Sequence, residues 1–439
     1  MAATAHSHIC LPSPVLTSFP KDKIRVLLLE RIHPRAGELF AAEGFQVEQH
    51  AGALEGEALV EAARESHVLG IRSASQFRTL ALAQCPRLLT IGCFCIGTNQ
   101  VDLRAANLAG VPVFNSPFSN TRSVAELTIA EIVALYRRLV DKAVQMHAGV
   151  WDKSAAGAHE VRGRTLGIVG YGRIGSQVSV LAEAMGMRVL YFDTALVLPH
   201  GNARAMRTLD ELLAQADVVS LHVPATRVTE RMIGARQIAT MRPGSYLINN
   251  ARGSVVDIAA LAAALREKKL AGAALDVFPE EPSSNTEPFA SELRGLGNVI
   301  LTPHVAGSTE EAQESIAVDV ATKLIRFINN GSTSGSVNVP QVELPGQEGI
   351  EGSRDQGSEE GSEVPARRHR VLHFHRNVPG VLSKMHAIIA EVGANIAAEY
   401  LQTNAEVGYV VLDVDPTDAA TIVDRLRAIP ETIRVRMLW

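Results

Sequence analysis

The chain has 439 residues, long enough for two or three domains, and its hydrophobic fraction of 46% is sufficient for packed cores. No apolar run is long enough to span a bilayer, and a net charge of −5 gives no reason to expect nucleic acid as a partner. The four cysteines are too few for a disulfide framework, and the C-x-C spacing of Cys93 and Cys95 is not typical of a metal site. Residues 1–20 lack the basic start and apolar core of a signal peptide, so we expect a loosely attached tail on a cytoplasmic protein without bound metal.

From residue 21 onward, apolar strand-like runs alternate with helical segments. Strands are predicted at Ile24–Glu30, Val47–His50, Val68–Arg72, Leu88–Cys93 and Val111–Asn115, with helices at Pro34–Glu43 and Glu55–Glu65. Such alternation indicates a parallel sheet that carries helices on both faces. We therefore predict an α/β domain at the start of the chain.

A long predicted helix from Ser123 to about Ala148 leads to a glycine-rich loop. The loop reads G-x-G-x-x-G at Gly170, Gly172 and Gly175, between a strand-like run and an amphipathic helix, and the next apolar run ends in Asp193. This arrangement predicts a dinucleotide site, in which the glycines permit a tight turn, approach of the pyrophosphate and close helix–strand packing. Asp193 would accept hydrogen bonds from the ribose 2′-OH and repel a 2′-phosphate, which favours NAD over NADP. The alternative is a structural glycine turn in another α/β protein.

Three polar residues follow predicted strands downstream of this loop: Arg252, Glu281 and His304. Open α/β sheets bind ligands beyond the carboxyl ends of their strands. A neutral His304 could take the hydroxyl proton of a hydroxy acid as hydride leaves for the nicotinamide. Glu281 could orient the His304 ring, and the planar guanidinium of Arg252 matches a substrate carboxylate.

Each of these residues, taken singly, has a simpler interpretation. The histidine could merely end a strand, the glutamate could be a solvated loop acid, and the arginine could be a surface ion-pair partner. Their occurrence at three successive strand ends after a glycine loop favours the catalytic interpretation. His222 either lines the cofactor cleft or closes a strand, and we assign it no role in proton transfer.

The last third of the chain contains a long helix, then a polar segment, then a final set of strands and helices. A helix from about Glu310 to Asn329 is too long and amphipathic for a linker and is expected to return into the first domain. Residues 341–366 are rich in Gly, Ser, Glu, Gln and Pro, which predicts a flexible acidic linker. The order β-α-β-β-α-β that follows predicts a small ferredoxin-like domain.

Four segments together resemble the D-isomer-specific 2-hydroxyacid dehydrogenases: residues 169–175, 250–257, 276–282 and 301–304. Residues 91–99 and 115–126 are similar to the bacterial members that act on 3-phosphoglycerate, and the C-terminal domain resembles their ACT regulatory domain. The resemblance implies NAD-dependent oxidation of 3-phosphoglycerate to 3-phosphohydroxypyruvate, the first step of L-serine biosynthesis. It also implies a homotetramer that serine inhibits at the ACT domains.

The resemblance implies an α/β fold with two Rossmann-like doubly wound parallel-sheet domains and a C-terminal ferredoxin-like ACT domain. The expected boundaries are 1–20 for the tail, 21–119 and 307–340 for a discontinuous substrate-binding domain, 120–306 for an inserted NAD-binding domain, 341–367 for the linker and 368–439 for the ACT domain.

Site residues carried over by position fall into four sets. Arg252, Glu281 and His304 form the catalytic set. Cofactor contacts are expected at Gly170, Gly172, Arg173, Ile174, Gly175, Asp193, Asn250, Ala251, Arg252, Asp276, His304, Val305, Ala306 and Gly307. Substrate contacts are expected at Arg72, Ser73, Asn120 and Lys153. The serine effector would bind between subunits at His375, Asn377 and Asn395.

Two other functions remain as alternatives: a reductase for a related 2-keto acid such as 2-oxoglutarate or hydroxypyruvate, and a non-catalytic NAD(H)-sensing module. The ACT domain argues against hydroxypyruvate as the main substrate, and an intact Arg252, Glu281 and His304 argues against a sensing module. The linker is longer and more acidic than the connector of the most similar bacterial members. Its length puts the transmission of a serine signal in question.

Overall fold

The computed structural model describes residues 20–282, 286–344, 368–415 and 419–438. The chain divides into two compact units. Unit 1 combines Met1–Pro117 with Glu314–Trp439, and unit 2 is Phe118–Gln313. Among the described residues, no helix is both long and apolar enough to cross a membrane.

The first part of unit 1 is a five-stranded parallel sheet with helices between its strands. Its elements are β1 (Arg25–Leu28), α1 (Pro34–Ala42), β2 (Gln46–Gln49), α2 (Gly56–Ala63), β3 (Val68–Ile71), α3 (Thr79–Ala83), β4 (Thr90–Cys93), α4 (Leu103–Leu108) and β5 (Val113–Asn115). The strand order is β2-β1-β3-β4-β5, and every neighbouring pair is parallel. Side chains of β3 and β4 are buried throughout, as expected for strands covered on both faces.

Unit 2 contains a seven-stranded parallel sheet. Its elements are α5 (Thr121–Arg137), α6 (Leu139–His147), β6 (Thr165–Val169), α7 (Arg173–Ala184), β7 (Arg188–Phe192), β8 (Arg204–Ala205), α8 (Leu209–Gln215), β9 (Val218–Leu221), α9 (Ala235–Thr240), β10 (Ser245–Asn249), α10 (Ile258–Arg266), β11 (Leu270–Leu275) and β12 (Val299–Leu301). The order β12-β11-β10-β9-β6-β7-β8 is that of a doubly wound dinucleotide-binding sheet. The predicted fold class is confirmed here.

One predicted element of unit 2 is wrong in its extent. The single helix expected from Ser123 to about Ala148 is two helices, α5 and α6, because Arg138 adopts a left-handed conformation with φ of 48°. A non-glycine residue rarely adopts this conformation. The apolar residues continue at helical spacing past Arg138, so the sequence did not predict the break. None of the α6 residues is buried.

The C-terminal part of the described chain is an antiparallel sheet with two helices. After α11 (Glu310–Asn330), which begins in unit 2 and ends in unit 1, its elements are β13 (His369–Arg376), α12 (Val381–Glu391), β14 (Ile396–Thr403), β15 (Val407–Val414), α13 (Ala419–Arg427) and β16 (Thr432–Leu438). The strand order β14-β15-β13-β16 and the β-α-β-β-α-β sequence agree with the predicted ferredoxin-like fold.

This sheet is covered on both faces. Alternate residues of β15 face opposite sides of the sheet and pack into two different cores. Val410 and Leu412 pack with α12 and α13, whereas Tyr409 and Val411 join a core that includes α11 residues. The Tyr409 hydroxyl also donates to the Gly331 carbonyl oxygen at 2.6 Å. The sequence suggested a separately tethered domain, but this one packs within unit 1.

The predicted linker begins later than the composition suggested. Val342 and Leu344 are buried, and the Val342 N–H donates to the Thr333 hydroxyl at 2.8 Å. Both side chains join the core of unit 1. Residues 345–367 of the predicted linker, and residues 1–19 of the predicted tail, lie outside the described residues.

Candidate active site

The glycine loop follows β6 and leads into α7. A Cβ on Gly170, where φ is 92°, would lie 2.7 Å from the His222 carbonyl oxygen, and a Cβ on Gly175 would overlap the Gly170 carbonyl oxygen. A Cβ on Gly172 would instead meet no atom within 4 Å. Two glycines are therefore required by packing, whereas the third leaves open space at the start of a helix.

This open space fits the pyrophosphate of a dinucleotide. Gly172 is the N-cap of α7 and provides no side-chain cap, so the first helical N–H groups, at Arg173 and Ile174, can face a ligand. Asp193 lies at the end of β7, and its carboxylate accepts hydrogen bonds from the N–H of Tyr171 at 2.7 Å and of Ala195 at 2.9 Å. The acid is thus held beside the glycine loop.

The three catalytic candidates follow three neighbouring strands, since β10, β11 and β12 are adjacent in the sheet. Nδ1 of His304 lies 2.8 Å from Oε2 of Glu281, and as a carboxylate only accepts, the ring donates from Nδ1. Oε1 of Glu281 accepts from the Phe278 N–H at 3.0 Å, which fixes the carboxylate. The His304 side chain is 54% exposed, so Nε2 remains available for a substrate.

Arg252 lies in the loop after β10, next to the loop that carries Glu281. A Cβ on Gly253 would overlap the Phe278 backbone, so the two loops are in close contact. The Asn249 side chain donates to the Arg252 carbonyl oxygen at 3.0 Å. Nη1 of Arg252 donates to the carbonyl oxygen of Ala251 at 2.7 Å.

Asp276 shapes the loop that carries His304. Its side chain is fully buried, and the carboxylate accepts hydrogen bonds from the Thr302 hydroxyl at 2.6 Å and from the N–H groups of Val305 and Ala306 at 2.8 and 2.7 Å. The Asp276 carbonyl oxygen accepts from the His304 N–H at 2.8 Å. These bonds give Asp276 a positioning role that the sequence did not indicate.

Asn250 directs its amide into the interior. Its Nδ2 donates to the Thr128 hydroxyl at 3.1 Å and to Oε2 of Glu131 at 2.7 Å. Burial raises the pKa of Glu131 to about 7, and the nearby charge of Asp276 adds to this effect. Sequence reasoning missed Thr128 and Glu131, although both occur at the helical spacing of the buried α5 residues.

The remaining candidates in unit 2 are placed as follows. Asn120 is buried directly before α5, and a Cβ on Gly307 would overlap its amide, so these two predicted ligand contacts are neighbours. Lys153 is exposed in the segment between α6 and β6. His222 follows β9 and accepts or donates a hydrogen bond with Ser220 at 2.9 Å, and burial lowers its pKa to about 4. The His222 side chain is half-buried, and its ring is neutral at pH 7.

The predicted effector residues lie in two places in unit 1. His375 and Asn377 lie at the end of β13, where His375 pairs with Gly408 of β15. Asn395 precedes β14, whose first residue pairs with Val414, at the other end of β15. Six residues of strand separate the two places, which is about 20 Å. One chain therefore does not bring the three residues together.

Comparisons with known proteins show the family of this chain. A family model described as the NAD binding domain of D-isomer specific 2-hydroxyacid dehydrogenases matches residues 129–306, and one described as an AHAS small subunit-like ACT domain matches residues 371–434. D-3-phosphoglycerate dehydrogenase of Escherichia coli is 49% identical over 425 residues, 96% of this chain and 99% of that protein. The enzyme of the same name from Dictyostelium discoideum is 48% identical over 96% of this chain and 99% of its own length.

Solved structures show the same fold. The TT0316 protein of Thermus thermophilus superposes with a TM-score of 0.65 at 31% identity, covering 72% of this chain and 100% of that one. D-lactate dehydrogenase of Aquifex aeolicus, complexed with NAD and lactic acid, gives a TM-score of 0.60 at 30% identity over 70% of this chain and 96% of its own.

Proposed function

This chain belongs to the D-isomer specific 2-hydroxyacid dehydrogenase family, and we propose that it oxidises 3-phosphoglycerate to 3-phosphohydroxypyruvate, the first step of L-serine biosynthesis. It is an NAD-dependent dehydrogenase. The choice of substrate rests on the near-complete alignment, at 48–49% identity, with relatives named D-3-phosphoglycerate dehydrogenase. The similarity to D-lactate dehydrogenase is weaker, at 30% identity over 70% of the chain.

The chemistry follows from the Glu281–His304 pair. Bound NAD would supply the acceptor for the hydride that leaves C2 of the substrate. Nε2 of His304 takes the C2 hydroxyl proton, and Glu281, held by the Phe278 N–H, keeps the ring in the required tautomer and stabilises its charged form. Arg252 holds the substrate carboxylate with its planar guanidinium.

Substrate binding would use Arg72, Ser73, Asn120 and Lys153. A substrate with a carboxylate and a phosphate needs at least two cationic groups, and an arginine with a lysine provides them. Within unit 1, Arg72 and Ser73 follow β3, and Asn120 in unit 2 lies beside Gly307.

We also propose a homotetramer with serine as the effector. Six apolar residues on and after α6 are exposed, among them Leu139 at 59%, Val144 at 63% and Trp151 at 74%, which supports contact with a second copy. The separation of Asn395 from His375 and Asn377 supports an effector site built from two chains. A cytoplasmic location is consistent with a biosynthetic role.

Initial rates with a panel of substrates test the proposed activity. NADH formation from 3-phosphoglycerate should exceed that from D-lactate in kcat/KM by about a hundredfold or more, because D-lactate has no second anionic group for a second cation. The difference from D-2-hydroxyglutarate should be smaller, because its second carboxylate also pairs with a cation but carries less charge than a phosphate. A higher kcat/KM for either other substrate would make the chain a different 2-hydroxyacid dehydrogenase. NADH binding without turnover of any of them would favour the sensing module.

A further inference from the structure

The parallel sheet of unit 1 has a topological switch point between β1 and β3. From β1 the strand order goes outward to β2, and from β3 it goes the other way to β4 and β5. Ligands of open α/β sheets bind in the crevice beyond the strand ends at such a point. Arg72 and Ser73 follow β3 directly, so the loop of residues 72–75, here called the β3 loop, lies at this crevice.

The β3 loop is held by a carboxylate from the other side of the switch point. Glu30 follows β1, and its Oε1 accepts from the N–H of Arg72 at 3.1 Å and of Ser75 at 2.9 Å. Its Oε2 accepts from the N–H of Ala74 at 2.9 Å. Glu30 has a φ of 62°, an unfavourable value that the surrounding contacts must maintain.

Hydrogen bonds from Gln100 and Leu54 also hold the β3 loop. Nε2 of the buried Gln100 donates to the Arg72 carbonyl oxygen at 2.5 Å. The Ser75 side chain is fully buried and accepts from the Leu54 N–H at 3.2 Å. Ser73, between the two held positions, is exposed.

The Glu30 carboxylate does not form an ion pair with the Arg72 guanidinium. Within the described part of the chain, no carboxylate oxygen lies within 4.0 Å of the Arg72 guanidinium. The three backbone N–H groups take up the negative charge of Glu30 instead. The Arg72 guanidinium is therefore free to bind an anion.

We propose that Glu30 is a positioning residue for substrate binding. Its carboxylate fixes the β3 loop so that Arg72 and Ser73 face the anionic groups of the substrate. The inference rests on the proposed function, because it takes 3-phosphoglycerate as the ligand of this loop. A carboxylate is needed, since its two oxygens accept three N–H bonds, whereas an amide has one oxygen and would turn an NH₂ group towards the loop.

Steady-state kinetics of the full chain with Glu30→Gln test the proposal. Because the lost bonds involve a charged acceptor, we expect the KM for 3-phosphoglycerate to rise about tenfold or more, with kcat changed less than about threefold. NADH affinity, measured by fluorescence, should stay within about twofold of wild type because its site lies in unit 2. Gln100→Met, which removes the other hold on the loop, should also raise the KM. Glu48→Gln, an exposed carboxylate of the same sheet, is the matched control and should change neither value.

The possible failures are distinguishable. If the wild-type chain oxidises 3-phosphoglycerate but Glu30→Gln keeps its KM, the positioning role of Glu30 is wrong and the proposed function stands. A loss of NADH binding together with kcat would show a general structural role instead. If the wild-type chain does not oxidise 3-phosphoglycerate, the proposed function and this inference both fail.

Discussion

The carboxyl group of Glu131 is buried in α5 against the amide of Asn250, directly beneath the loop that carries Arg252. An ionised carboxylate is costly to bury, and this cost raises its pKa from 4.5 to about 7 in the folded protein. The folded state therefore binds one more proton than the unfolded state between pH 4.5 and 7. Stability should fall as the pH rises through this window, on the order of a few kcal/mol in total.

Replacement of Glu131 by Gln should remove this pH dependence. The amide keeps the shape of the side chain and can still accept from Nδ2 of Asn250, but it has no charge to bury. We expect the Tm difference between Glu131→Gln and wild type to increase from pH 5 to pH 8 in favour of the variant. Differential scanning calorimetry at several pH values measures it, with the exposed Glu126→Gln as the control. A Tm difference that is independent of pH would contradict the assigned pKa shift.

The sequence predicted some of these residues and missed others for a physical reason. Arg252, Glu281 and His304 could be found because each follows a strand whose apolar run is visible. Glu30 and Glu131 could not, because their partners are backbone N–H groups and an amide that lie 42 to 119 residues away in the chain. In the sequence alone, such an acidic residue cannot be distinguished from an exposed one, because its partners come close to it only in the folded chain.

Within the β6–α7 turn, the three glycines have two different roles. Gly175 permits close packing against the Gly170 carbonyl oxygen, whereas the position of a Cβ on Gly172 is open. Packing and the proposed pyrophosphate binding therefore involve different positions of one loop. The two can be separated by substitution.

We expect Gly172→Ala to keep the wild-type Tm and to weaken NADH binding by about tenfold, or about 1.4 kcal/mol, because the new methyl group occupies the pyrophosphate space. Gly175→Ala should instead destabilise the folded protein by about 1–3 kcal/mol through overpacking. Thermal unfolding and NADH fluorescence titration of both variants check the pair. Unchanged NADH affinity in Gly172→Ala would show that the pyrophosphate does not bind there.

The extent of helices was less predictable than their presence. The apolar pattern continues from α5 into α6, so it predicted one helix and missed the left-handed residue Arg138 between them. The Arg138 side chain forms a local ion pair with Asp141, three residues further on, at 3.0 Å. In the same way, Val342 and Leu344 looked like part of an acidic linker, and only the core of unit 1 shows why they are ordered.

In the whole molecule, the packing of the C-terminal sheet bears on how serine binding could affect the active site. The sequence suggested that it must cross a flexible tether. The C-terminal sheet, however, packs against α11 and the parallel-sheet part of unit 1, through the Tyr409–Gly331 bond and the ion pair of Arg104 with Glu406 at 2.7 Å. A packed interface can transmit a bias that a tether cannot.

We therefore expect Tyr409→Phe to weaken serine inhibition. The change leaves the Gly331 carbonyl oxygen buried without its donor and loosens this interface. The serine concentration for half-inhibition should rise severalfold, while the uninhibited kcat and the serine affinity measured by calorimetry stay near wild type. Tyr400→Phe, on the neighbouring strand β14, is the control. Unchanged inhibition in Tyr409→Phe would mean that the signal takes another route.

The overall architecture was largely predictable, since alternating strands and helices indicate parallel sheets and the final six elements indicate a ferredoxin-like fold. The packing of the last sheet was not, because both faces of β15 are apolar and the sequence does not say what covers each. Val410 and Tyr409 are equally buried, yet they face different cores.

NADH formation from 3-phosphoglycerate and NAD by wild type and His304→Ala tests the assigned base and the proposed substrate together, with the NADH affinity of each measured alongside. If Nε2 of His304 is the base, wild type turns over and the variant loses about 10²–10⁴-fold in kcat, while its NADH affinity stays within about twofold. Turnover by His304→Ala at a rate near wild type would contradict the assigned base. An inactive wild type that still binds NADH would contradict the proposed substrate.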